Sequence, residues 1–172
     1  MNVCEKYKFL AWILIAGFFI SNYGCKKYPD GPLLSLHTKT HRVCGEWDVE
    51  YFEINGYDST TYFKNHPLYG YYTFKKEKEE HRFSYKTYGY NTSDTNLYYS
   101  AFGDWGFDNF KKDLSLTADN INRPWRNFNL VIFNEEKTQE VQIRRLTEVE
   151  MWLQTLSSDG RTFFVKLKPK NN

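Results

Sequence analysis

The chain has 172 residues, with 23 Lys and Arg against 21 Asp and Glu and a formal charge of +2. That length fits one ordinary domain rather than two, and so even a charge balance leaves no basic footprint for nucleic acid. Three cysteines are too few for the disulfide framework of a small exported scaffold, while 14 Tyr and 14 Phe favour strands that are buried on one side and wet on the other.

The first element in chain order is an export segment. Lys6 and Lys8 precede the apolar run 9–20 (FLAWILIAGFFI), and Ser21, Asn22, Tyr23 and Gly24 lead to Cys25. A basic start, a short apolar stretch and a small-residue junction are the order of a secretory signal, and the run is short of the ~20 apolar residues that span a bilayer. Gly24-Cys25 resembles the end of a lipobox, in the looser form of Bacteroidetes lipoproteins. The resemblance implies a signal peptide over 1–24 and acylation of the Cys25 thiol, palmitate included. It also implies attachment to the membrane through N-terminal acyl chains, with the protein lipid-anchored in the bacterial cell envelope at the outer membrane. Loss of Glu5, Lys6 and Lys8 with the signal takes the formal charge from +2 to +1. Cys4 leaves with it and Cys25 is consumed by lipid, so Cys44 stands alone and reads as a small packed residue on a strand.

Residues 25–40 contain Pro29-Asp30-Gly31-Pro32 and little periodicity, and read as an acylated tether. A two-residue period begins in 42–54, placing Val43, Gly45, Trp47, Val49 and Tyr51 on one face and Glu46, Asp48 and Glu50 on the other. Asn55-Gly56 follows as a hairpin turn. Further strands are expected over 71–77, 81–88, 97–102, 113–118, 128–134, 140–146, 149–156 and 162–168, each bounded by polar or Gly-containing connections. Residues 103–109 read as a solvated turn and 119–126 as a loop, and no stretch holds a 3.6-residue period long enough for a helix. Together these predict an all-β domain over 41–172, an antiparallel up-and-down meander of about eight to ten strands. Closing it into a barrel removes its edges; a β-sandwich is the alternative.

Gly45-Glu46-Trp47 in the first strand resembles the Gly-x-Trp motif of the lipocalin superfamily. The tail, Met151-Trp152-Leu153-Gln154 with Ser158-Asp159-Gly160 and 163–167, is similar to the closing hairpin of lipocalin-like lipoproteins of Bacteroidetes. The resemblance implies a lipocalin-like barrel in which Gly45 lets the strand bend, Trp47 plugs the narrow base, and a late arginine packs across the indole. Arg145 and Arg161 are both candidates for that barrel-closing role.

No chemistry-bearing motif stands out. His37, His41, His66 and His81 are dispersed, which argues against a metal site, and no nucleophile elbow, phosphate loop or dinucleotide fingerprint is present. A non-enzyme without a cofactor is therefore expected. The functional raw material is aromatic. Tyr71, Phe83, Tyr85, Tyr99 and Trp105 would line a cup with Leu97, Leu130, Ile132, Val141, Ile143, Met151 and Leu153, and Trp47, Phe83, Tyr85, Tyr99 and Met151 are the leading cavity candidates. A cup of that kind binds a small apolar or amphipathic ligand. The alternative is a non-catalytic envelope interaction module that meets a protein or a glycan through exposed aromatic side chains. A deep cavity favours the first reading, and a filled interior with aromatics outside favours the second.

If Cys25 carries the acyl chains, Cys25→Ser leaves the domain folded and removes it from membranes. Fractionation of palmitate-labelled cells checks this: a Ser variant that still pellets after a carbonate wash would make 9–20 the anchor instead.

Overall fold

The computed structural model describes residues 37–66, 69–88, 100–110, 112–122, 138–157 and 159–171. The predicted strand 128–134, the first half of 97–102, and the positions Cys25, Tyr99, Leu97, Leu130 and Ile132 lie outside them.

The described chain opens with a short helix, α1 (Lys39–Val43), and then runs through nine strands: β1 (Gly45–Ile54), β2 (Tyr57–Asp58), β3 (Gly70–Glu77), β4 (Glu80–Thr87), β5 (Ser100–Phe107), β6 (Asp113–Asn122), β7 (Thr138–Leu146), β8 (Met151–Leu156) and β9 (Thr162–Pro169). A second short helix, α2 (Thr60–Lys64), lies between β2 and β3. Each strand pairs antiparallel with the next, except that β2 pairs only with the end of β1, and β1 also pairs with β9 from Trp47↔Pro169 to Ile54↔Phe163. The result is a closed eight-stranded up-and-down barrel with one extra two-residue strand. Closure excludes the sandwich, because every long strand has a partner on both sides.

Alternation sets the inside. Leu114, Leu116 and Ala118 of β6, Met151, Leu153 and Thr155 of β8, and Phe163, Val165 and Leu167 of β9 all point inward and are buried. Three bulges then adjust the parity. An extra Glu50 lies between the Val49↔Leu167 and Tyr51↔Lys166 pairs, Asp119 is extra opposite Phe102 and Gly103, and Arg144 is extra opposite Leu153 and Trp152. Such bulges bend strands around a small barrel.

The bulge at Glu50 corrects the expected face of β1. Trp47 and Val49 point in, but Phe52 takes the next inward place and Tyr51 turns out. Val43 is buried, yet it belongs to α1 rather than to the strand. In β3 it is Tyr72 and Phe74 that face the interior, so Tyr71 lies outside, against expectation. Residues 103–107, expected in a turn, are the second half of β5, with Trp105 inside and its Nε1 donating to the Lys75 carbonyl at 3.1 Å. Strand β6 runs to Asn122, so the first four residues of the expected loop 119–126 are strand. Val149 precedes β8 and is exposed.

The two helices, which the sequence reading did not foresee, cap the barrel at opposite ends. Helix α2 buries Phe63 against Phe52, with ring centroids 4.7 Å apart. Helix α1 lies at the other end, with the Thr38 hydroxyl accepting from the His41 amide at 3.2 Å as its N-cap. The expected Asn55-Gly56 turn is present, with φ of 52° and 84°.

A Cβ built on Gly103 would lie 2.0 Å from the Thr117 carbonyl oxygen, whereas one on Gly106 meets nothing within 4 Å. Gly103→Ala is therefore expected to cost about 1–3 kcal/mol or more, as overpacking against fixed backbone does, and Gly106→Ala to be nearly neutral. Denaturant midpoints of the two variants check this; equal effects would mean that β5 and β6 do not approach so closely at Gly103.

Candidate functional site

The interior is the first place a ligand would be sought. Trp47, Phe83, Tyr85 and Met151 all point into it, as the alternation required. Trp47 and Phe83 keep 2% of their surface and Tyr85 and Met151 keep none, so no water-sized space adjoins the last two. The Tyr85 ring lies 4.7 Å from that of Tyr72, and Phe74 meets Trp105 edge-on at 6.0 Å. Such contacts are those of a close-packed core, not of a cup wall. Toward the α2 end the lining turns polar, where the buried Gln139 amide donates to the Thr155 hydroxyl at 2.9 Å.

The barrel-closing group is assembled differently from the expectation. Gly45, with φ of 154°, stands where α1 passes into β1, and the Trp47 indole N–H donates to the Val43 carbonyl at 2.9 Å, tying the inward ring to the helix. Arg145 is engaged elsewhere: its Nε donates to Glu150 at 2.7 Å, and its guanidinium lies 5.1 Å from the Trp152 ring on the outer surface. Arg161 pairs with Asp159 at 2.6 Å and lies over Phe163, and it holds the Asp159 carboxyl down at about 2. The buried arginine at the closed end is Arg42 of α1, whose Nη1 donates to the Leu146 carbonyl at 2.6 Å. Spacing could not single it out, because Arg42 reads as the first residue of the two-residue period 42–54 rather than as part of a helix.

The outer face of β1, β3, β4 and β5 carries a groove of about 260 Å³. Register builds it. Glu46, Thr73, Ser84 and Phe102 form one row across the four strands, flanked by Tyr71 with Lys86 on one side and Lys75 with Arg82 on the other. Thr73 and Ser84 are short, so their hydroxyls make the floor between longer walls. Phe102 closes one end and leaves 44% of its surface open. Arg82 is held by Asp104 at 2.7 Å and Asp119 at 3.0 Å. Lys170 lies 3.6 Å from the Tyr71 ring centroid and 3.3 Å from Glu46. Beyond Tyr71, the Tyr88 hydroxyl donates to Asp48, and burial followed by that carboxylate pushes the Tyr88 phenol well up, so it stays a neutral donor. The motif Tyr-x-Thr-x-Lys at 71–75 opposite Arg-x-Ser-x-Lys at 82–86 could have revealed the groove, had the parity of the two adjacent tyrosines been known.

A second outer cluster gathers Tyr51, Trp152 and Phe164 around Lys166, whose Nζ lies 4.4 Å from the Trp152 ring. Cys44 joins α1 to β1 rather than lying within a strand, and borders a cleft of about 570 Å³ with Lys39, His41, Lys76 and Phe107. Burial raises its thiol pKa, with a partial offset from the Lys76 backbone, so the thiolate is disfavoured there.

No protein-family profile matches the sequence, and no curated protein does. Among solved structures, the chain is similar to a lipocalin-like protein from Bacteroides uniformis, at 12% identity and a TM-score of 0.47, over 75% of this chain and 99% of that one. It is also similar to a redesigned β-barrel, at 10% identity and a TM-score of 0.47, over 80% of this chain and all of that one.

Because Arg42 is buried and bonded while Arg161 pairs at the surface, their losses differ. Arg42→Ala is expected to cost about 1.5–3 kcal/mol, the range for a charged hydrogen bond, and Arg161→Ala to stay within about 0.5 kcal/mol. Urea midpoints of the two variants check this, and comparable losses would remove Arg42 from its closing role.

Proposed function

We propose that the protein is a lipid-anchored, lipocalin-like, non-catalytic binding module of the bacterial envelope that meets its ligand on the outside of the barrel. The observation that carries this reading is the contrast between the two aromatic sets. Tyr85 and Met151, chosen as cavity lining, are fully enclosed, while Phe102 stands open at the end of a hydroxyl-floored groove. Burial of a drug-sized apolar ligand takes a pocket of roughly 300 Å³ or more lined by apolar groups. Among the described residues, the interior positions expected to line such a pocket, Trp47, Phe83, Tyr85 and Met151, are instead buried in the packed core.

The groove has the chemistry of a sugar site. An aromatic ring offers a flat apolar surface to one side of a pyranose, and Thr73, Ser84, Glu46, Lys75 and Lys86 offer donors and acceptors to its hydroxyls. A volume of about 260 Å³ suits one or two sugar rings rather than a protein surface. The ligand we assign is accordingly a sugar unit of an envelope glycan.

Phe102→Ala should leave the thermal midpoint nearly unchanged, since the ring is half exposed, and should abolish binding on a glycan array made from envelope polysaccharides. Uptake of a hydrophobic fluorescent probe by the wild type is expected to be absent. Saturable, one-to-one probe binding that Phe102→Ala leaves intact would return the ligand to the interior and overturn the outer-face reading.

A further inference from the structure

Two turns at the α1 end of the barrel hold apolar residues where polar ones are the norm. Phe110 lies in the β5–β6 turn and is 79% exposed, and Val149 lies in the β7–β8 turn and is 64% exposed. Both turns are pinned from within. The Asp108 carboxylate accepts from the amides of Phe110 and Asp113, each at 2.9 Å, and the Thr147 hydroxyl accepts from Glu150 at 2.9 Å and Val149 at 3.3 Å. The two side chains are thus presented outward by built turns, and their exposure adds nothing to the fold.

The chain enters the barrel between these tips. His37 lies 3.3 Å from Glu148, the neighbour of Val149, and Lys39 lies 5.7 Å from the ring of Phe107, at the foot of the turn that carries Phe110. Exposed apolar groups alone do not choose this end, since Tyr57, Tyr62 and Leu156 are also exposed. The tether does. An acylated Cys25 stands twelve residues before His37, a reach of at most about 40 Å even when fully extended. Contacts too weak to hold a free protein suffice at the millimolar effective concentration that such a linker gives.

We propose that the α1 end is the membrane-facing surface of the protein, with Phe110 and Val149 dipping into the lipid beside its own anchor. This rests on the anchoring part of the function proposed above, and not on the sugar groove. The cleft between α1 and the ends of β3 and β5 brings Lys39 and Lys76 to the same end, two ammonium groups suited to lipid phosphates. The outer-face groove would then stand upright, open sideways to the envelope space.

The test uses the acylated full chain with Cys44→Ser, reconstituted in phosphatidylethanolamine–phosphatidylglycerol vesicles that carry nitroxide-labelled acyl chains. A fluorophore is placed at Lys112→Cys, beside the Phe110 tip, or at Tyr62→Cys as a control at the opposite end. Strong quenching at 112, none at 62, and a several-fold loss of quenching at 112 in a Phe110→Ser, Val149→Ser variant that still floats with the vesicles are expected. A chain that floats while both labels are quenched equally, or with quenching at 112 indifferent to the serine substitutions, overturns the membrane-facing surface and leaves the anchor intact. A chain that carries no acyl group and does not float overturns the anchoring reading, and this proposal with it.

Discussion

The pairing of β1 with β9 is the interaction on which the remainder depends. It joins Trp47 to Pro169 at one end and Ile54 to Phe163 at the other, and so gives a first and last strand that would otherwise be edges their second partners. An unpaired pair of edges would expose two rows of backbone donors and acceptors to other chains. Closure also fixes which parity is inside for every strand at once. The interior that results is narrow enough for side chains to fill, as eight strands allow. It is the filling of that space by Tyr72, Phe74, Phe83, Tyr85 and Trp105 that moves the candidate ligand site to the outer surface.

Where a strand is regular, its inner face was readable from the sequence. Val141 and Ile143 of β7, ahead of its bulge at Arg144, and Met151 and Leu153 of β8 alternate without ambiguity, and Phe83 and Tyr85 stand out between polar neighbours. Where a bulge intervenes, alternation misleads. Nothing in Val49-Glu50-Tyr51-Phe52 marks Glu50 as the extra residue, and the choice between Tyr51 and Phe52 depends on how β1 must bend to meet β9. Consecutive tyrosines at 71 and 72 present the same difficulty, because either parity puts one phenol inside. The glycines at 103 and 106 look like turn residues, but the first is demanded by the approach of β6 and the sequence carries no sign of that partner. Helices of five residues are too short to show a period, and they form here because Phe63, Arg42 and Val43 find places in or against the barrel.

The candidate site was legible only in its ingredients. The high content of tyrosine and phenylalanine was visible from composition, but not which of them lie outside the barrel. Which aromatic residues those are follows from register. Phe102 is outward because Ala101 and Gly103 are inward, and Thr73 and Ser84 meet because β3 and β4 are joined by a two-residue turn at Lys78 and Glu79. Cations cover several of the outer rings, Lys170 at Tyr71 and Lys166 at Trp152 among them. Such pairs let a surface carry aromatic groups without becoming an adhesive apolar patch.

The fastening of α1 has a mechanical consequence. The helix is bonded to the barrel at two separated points, from Arg42 to the end of β7 and from the Trp47 indole back to Val43. A pull arriving along the N-terminal segment therefore reaches β7 as well as β1. The load is shared between strands on different parts of the circumference, and the hydrogen bonds of β1 to β3 and β9 need not open one after another from the Gly45 end. In the proposed function, with the chain tethered at its N-terminal side and a glycan held at the groove, load would run along this line, with the guanidinium of Arg42 as a second rivet.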